Sequence, residues 1–273
     1  MAQFWGYNAT TASKQRRFSP GLWGDCPYSA IIDGLVDGVA YQDDFDGGGP
    51  IVSAGAQAAY GKYNGFASTG ASTSDAGVQF GALTFTPAGS NTGVSTGLSI
   101  ASLLITQAAG DLWFEAAFQT STIADTQHDI FCGLLDARAL TVAVPLTQGS
   151  PTKFAAACNA VGFLRDSAAS NGAQMSTVYQ AGGVSPVTVQ ASAVSLTAAT
   201  AVRVGMRYNH EASTLYFYQN GVQLSGSKVV PNATATDFPA VAILRPVFAV
   251  LSETSSAGTS ALDWWAFAQL GSP

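Results

Sequence analysis

From Tyr41 onward, apolar and polar residues alternate in short runs parted by clusters of Gly, Ser, Asn and Asp, and a 3.6-residue period is almost absent. In 201–208, Val202, Val204, Met206 and Tyr208 alternate with Arg203, Gly205 and Arg207, so one face enters a core and the other leaves it. Leu112, Phe114, Ala116 and Phe118 follow the same rule. This pattern predicts strands over 78–86, 112–120, 129–135, 160–165, 175–180, 187–193, 201–208, 214–219, 246–251 and 261–270. Asn220-Gly221 stands between Leu215-Tyr216-Phe217-Tyr218 and Val222-Gln223-Leu224. That is a hairpin signal, because a type I′ turn needs positive φ at both central residues. Segments 47–73 and 90–110 are rich in Gly, Ala and Ser and read as long loops or weak edge strands. No fixed-period repeat occurs, and no linker splits 40–273.

Residues 1–39 differ. They hold Phe4, Trp5, Tyr7, Phe18, Trp23 and Tyr28 with Lys14, Arg16 and Arg17, and sustain neither period. Two readings fit: an extended arm whose anchors bury against another surface, or a segment folded back over the main sheet. The expected organisation is an attachment arm at 1–39 and an all-β sandwich or barrel at 40–273, which the resemblance given below narrows to an antiparallel jelly-roll sandwich.

Composition sharpens this picture. Of 273 residues, 47% are hydrophobic but only 10% charged, against about 25% in a typical soluble domain. At roughly 400 Å² of surface per charged side chain, the exterior must consist mostly of small and hydroxyl-bearing residues. Such a surface resists association poorly and suits a protein that works within an assembly. The net charge of −6, with four Lys and seven Arg, argues against nucleic acid. Cys26, Cys132 and Cys158 lack metal-site spacing and read as buried thiols. The N-terminus shows no signal-peptide pattern, and the apolar stretch 238–251 contains Pro239, Arg245 and Pro246, which excludes a membrane helix.

Three pieces of the β region resemble the concanavalin A-like lectin/glucanase jelly roll, also seen in laminin G-type domains. They are Asp43-Asp44-Phe45-Asp46, the strand from Asp111 through Trp113 and Glu115 to Phe118, and the run from Arg203 through Tyr208 and Leu215 to Asn220-Gly221-Val222. Leu262-Asp263-Trp264-Trp265-Ala266-Phe267 resembles that fold's last strand, returning beside its first. The resemblance spans about residues 41–270. It implies a glycosidase, a lectin or a structural module of a phage virion. Within that set, the neutral composition and aromatic lead-in look most like a tailed-phage virion protein, a capsid decoration or head-fibre component. Its partners would be the major capsid protein or other virion proteins, and a homo-oligomer is expected. The attachment residues would be Phe4, Trp5, Arg16, Arg17, Phe18 and Trp23, aromatic anchors and arginine forks of the kind that dominate interfaces. The alternative is a carbohydrate-binding module for host surface glycans.

Catalysis and metal binding find less support in the residues. Glycoside hydrolysis needs two flanking carboxyl groups, and the glucanases of this fold carry a Glu-x-Asp-x-x-Glu-like run that is missing among three glutamates, Glu115, Glu211 and Glu253. His128 and His210 read as turn residues instead of catalysts. Asp43, Asp44 and Asp46 before Gly47-Gly48-Gly49 suggest a calcium loop, but the EF-hand spacing fails because position 54 is Ala. Trp113, Trp264 and Trp265 are sugar-platform candidates, with core or interface the favoured placement. The expectation is therefore a non-enzymatic protein without cofactor or metal, located in a virion.

Overall fold

The computed structural model describes residues 18–45, 52–53, 56–60, 63–67, 72–75, 82–87, 91–96, 103–106, 109–125, 128–136, 146, 154, 158–167, 172–182, 185–230, 238–240, 242–252 and 258–271. Two short helices open this part, α1 (Pro20–Trp23) and α2 (Tyr28–Ile32). Strands β1 (Gly38–Asp43), β2 (Val52–Ser53), β3 (Ala56–Tyr60), β4 (Tyr63–Ala67), β5 (Ser72–Asp75), β6 (Leu83–Thr86) and β7 (Asn91–Thr96) follow. After them come β8 (Leu112–Thr120), β9 (His128–Asp136), β10 (Ala160–Arg165), β11 (Gln174–Gln180) and β12 (Val187–Ser195). The chain closes with β13 (Val202–Asn209), β14 (Thr214–Gln219), β15 (Val222–Val229), β16 (Leu244–Ser252) and β17 (Ser260–Leu270).

Among the described residues the strands form two antiparallel sheets, ordered β15-β14-β13-β8-β17-β6-β5-β2 and β12-β11-β10-β9-β16-β7-β4-β3. β1 joins the first sheet beside β17, in register from Gly38 with Leu270 to Asp43 with Trp265, so the last strand does return beside the first. Of the sandwich or barrel read from the alternation, the sandwich is therefore present, with the antiparallel jelly-roll architecture that the resemblance implies. Segments expected to be loops or weak edges supply β2 to β5 and β7, outer strands of both sheets.

Alternation places Leu112, Phe114, Ala116 and Phe118 of β8 and Val202, Val204, Met206 and Tyr208 of β13 in one core with Ile130, Cys132 and Leu134 of β9. Aromatic rings lock the layers: Phe248 of the second sheet lies 5.0 Å from Phe85 and 5.3 Å from Phe118 of the first. Each such buried ring contributes about 1.5–3 kcal/mol. At Asn220-Gly221 φ is 50° and 79°, the positive pair that a type I′ turn requires. The open edges β12 and β15 face each other and are tied by Gly226 N donating to Gln190 Oε1 at 2.6 Å, which shields both from further strand pairing.

Part of each sheet's outer face is also covered, over its central strands. On the second sheet, Leu146, Phe154 and Cys158 pack on Phe131, Leu135, Leu164, Val178, Val247, Ala249 and Leu251. On the first, residues 18–36 lie across β8, β13, β14 and β17, burying Leu22, Trp23 and Ile31 against Trp113, Ala117, Tyr218 and Trp264. This described part of the lead-in takes the folded-back placement. Phe18 stacks on Trp23 at 4.5 Å. Phe4, Trp5, Arg16 and Arg17 lie outside the described residues.

Candidate functional site

The folded-back segment is held by a buried carboxylate. Glu115 projects from the outer face of β8 and is 1% exposed. It accepts hydrogen bonds from Ser19 N at 3.1 Å, from Ser19 Oγ and from Trp23 Nε1 at 2.8 Å. Burial holds the Glu115 carboxyl above the ordinary carboxylate range, against the opposing pull of the Ser19 bonds, Arg203 and Trp23. Glycines make the seat: a Cβ on Gly205 would stand 2.4 Å from Leu22 Cδ2, and one on Gly221 would stand 2.7 Å from Ser19 Cβ. The Glu115 that sequence reasoning weighed as a hydrolytic acid is therefore bonded to the protein's own backbone and side chains.

Where β8 begins and β13 and β17 end, the same segment borders a cleft of about 540 Å³. One wall carries Asp25, Val36 and Asp37; the others carry Gly110, Asp111, Arg207, Asn209, His210, Glu211, Leu270 and Gly271. Arg207 and Asn209 share the outer face of β13 by alternation, and His210 and Glu211 sit on the turn to β14, where Ala212 N bonds Asn209 Oδ1 at 2.8 Å. Gly110 lets β17 approach, since a Cβ there would meet Gly271 O at 2.5 Å. Gly271 N in turn bonds Asp37 O at 2.9 Å.

Arg207 is the centre of the cleft. Its guanidinium pairs with Asp25, lies 3.9 Å from Asp111 and stands 6.0 Å from the Trp113 ring centroid. Trp113 Nε1 donates to Asp25 Oδ1 at 3.3 Å, and His210 N donates to Asp111 Oδ1 at 2.6 Å. Arg207 Nε and His210 Nδ1 are buried without a hydrogen-bond partner. Four carboxylates against one guanidinium leave the cleft with a formal excess of negative charge. The arrangement can bind a hydroxylated or cationic ligand through several directed bonds beside the apolar Val36 and Leu270. Beneath the cleft rim, Cys26 is pushed up to about 12 by burial and by Asp25, so its thiol stays protonated.

The other candidates resolve into structure. His128 is not a turn residue: it opens β9, is fully buried, and has Nε2 2.8 Å from Thr120 Oγ1 and 3.2 Å from Ser260 Oγ. Burial, helped by the nearby Arg165 charge, lowers its pKa to about 3. His210 does lie in a turn, on the cleft rim. The Asp43 carboxylate accepts from Tyr41 OH at 2.6 Å, from Tyr63 OH and from Phe45 N at 2.7 Å, which commits it to protein donors. Among the described residues no group of three His, Cys, Asp or Glu is placed to hold a metal ion. Trp265 enters the interior beside Phe45 and Tyr63, while Trp264 lies under the folded-back segment. Sequence reasoning missed Asp25, Asp37, Asp111 and Arg207 as a group, because four separate stretches of chain supply them. The only trace was the outward phase of Arg207 on its strand.

No protein-family model and no curated protein matches the chain. Solved structures do. An endo-1,3-β-glucanase from Streptomyces sioyaensis is 13% identical with a TM-score of 0.55, covering 85% of this chain and 96% of its own. Peanut lectin with a 9mer peptide is 15% identical with a TM-score of 0.53, covering 85% and 97%. A protein of unknown function from Shewanella oneidensis MR-1 is 10% identical with a TM-score of 0.51, covering 87% and 89%. The fold is thus that of concanavalin A-like lectins and glucanases. Two expectations change. The expectation of a non-enzymatic protein is corrected: the same sandwich carries an endo-1,3-β-glucanase, so this fold gives no ground for excluding catalysis. The comparisons also lend no support to the virion assignment.

Proposed function

We propose that this chain binds carbohydrate, with the Arg207 cleft as the sugar site. The observation that carries the reading is the cleft itself. At about 540 Å³ it falls within the usual range for small-ligand sites. It sets hydroxyl partners (Asp37, Asp111, Asn209, His210, Glu211) beside the apolar side chains of Val36 and Leu270. Sugars need that combination, a ring face on apolar surface and bidirectional bonds to the hydroxyls. The lectin- and glucanase-type fold supports it. The surplus of carboxylates disfavours uronate and sulfated sugars and favours neutral or amino sugars.

The test is a panel of neutral β-glucan oligomers, glucosamine oligomers and oligogalacturonate, read by direct binding with product analysis for cleavage alongside. Binding to the first two classes is expected. It should fall at least tenfold in Asn209→Ala and His210→Ala, with the fold unchanged by circular dichroism. Silence across the panel, or binding that ignores both substitutions, would refute the reading.

A further inference from the structure

We propose that residues 18–37 form a docked strap that completes the cleft, so that sugar binding and strap docking are coupled, with Glu115 as the positioning residue that holds the strap. This rests on the cleft being the sugar site.

The strap contributes Asp25, Val36 and Asp37 to the lining, and the sheet contributes the facing residues. Its helices are four and five residues long, too short to persist by themselves, so its shape depends on the surface beneath it. That surface is specific. Glu115 receives Ser19 and Trp23, Leu22 fills the space left by Gly205, and Asp25 pairs with Arg207 across the cleft. The strap is also distinct from the sandwich core, because its buried side chains belong to a separate apolar cluster on the outer face. Undocking would take Asp25 and Val36 out of the cleft wall and release Arg207 from Asp25, while Asp37 stays tied to Gly271 and the interior between the sheets stays closed. A ligand that touches both walls must then favour the docked state, and docking must favour the ligand by the same factor. Glu115 does not line the cleft. Any effect of Glu115 on binding therefore passes through the strap.

Hydrogen exchange on the full chain, read at amides 19–36 and in β8, β13 and β17, tests the coupling with cellotetraose and a glucosamine trimer as probes. In the unsubstituted protein the strap amides should open with a lower free energy than the sheet amides, and the bound probe should slow them. Glu115→Ala and Trp23→Ala should each strip protection from 19–36, leave the sheets protected and weaken probe binding more than tenfold. Glu115→Gln, which keeps an acceptor for Trp23 Nε1, should recover part of both. Unchanged probe binding with a released strap would overturn the proposal, as would strap amides that exchange only with the sheets. If neither probe binds although the strap opens separately, the carbohydrate reading itself fails and the coupling falls with it. Binding that survives strap release leaves that reading standing.

Discussion

Glu115 and His128 show how a single buried ionisable group makes this fold sensitive to pH. The Glu115 carboxyl is held above its ordinary range by burial, so the folded state favours the protonated form. Its contribution to stability is fully present below the ordinary carboxylate pKa and is lost as pH rises through the raised value. The strap's own donors on Ser19 and Trp23, with Arg203 of β13, pull the other way and limit the shift. Glu115→Gln should remove this part of the pH dependence of unfolding; an unchanged profile in the variant would place the titration elsewhere. His128 acts in the opposite sense. With a folded pKa of about 3 against 6.5, the native state stays neutral while the unfolded chain takes up a proton. Stability should fall by about 1.4 kcal/mol per pH unit between those values. Urea midpoints across that window should show the slope, and His128→Gln should flatten it. Cys26, pushed up to about 12, should resist alkylation near neutral pH until the strap is released.

The strap and the β14–β15 hairpin are the elements whose removal separates surface from core. Removing residues 1–37 uncovers Trp113, Trp264 and Glu115 and forfeits the burial of Leu22, Trp23 and Ile31. At about 1.5–3 kcal/mol per side chain the cost is roughly 5 kcal/mol or more. Calorimetry on the truncated and full chains checks this; an unchanged melting temperature would mean that the strap does not stabilise the sandwich. Gly221→Ala strikes both elements at once, since φ is 79° there and the new methyl would meet Ser19 Cβ at 2.7 Å. It should cost about 1–2 kcal/mol from the left-handed backbone alone and loosen the strap as well; an unaltered strap would show that Ser19 can shift.

Across the whole molecule, charge is scarce and the cleft concentrates it. Four of the 17 acidic residues line one cavity in a chain of net charge −6. Glucosamine-oligomer binding should weaken as ionic strength rises, while neutral glucan binding should hold. Equal salt dependence for both would mean that the carboxylates act as hydrogen-bond acceptors without selecting charge.

The sequence by itself determined the sandwich. Side-chain period is local, so alternation over 112–120 and 201–208 located β8 and β13 nearly to the residue, and Asn220-Gly221 set its turn because few residues other than Gly and Asn tolerate positive φ. The outer strands β2 to β5 and β7 were legible only as long loops or weak edge strands, since Gly-, Ala- and Ser-rich edges carry little hydrophobic contrast. Only the tertiary structure decided what the outward-facing residues do. Nothing local says that Glu115 is sealed by Ser19, 96 positions away, or that Asp25 reaches Arg207. A strand's outward phase looks the same whether it meets water, a partner or the chain's own N-terminal segment. The cleft arises where a strap, two strand ends and a turn converge, and that convergence is a property of topology, which the order of residues along the chain does not display.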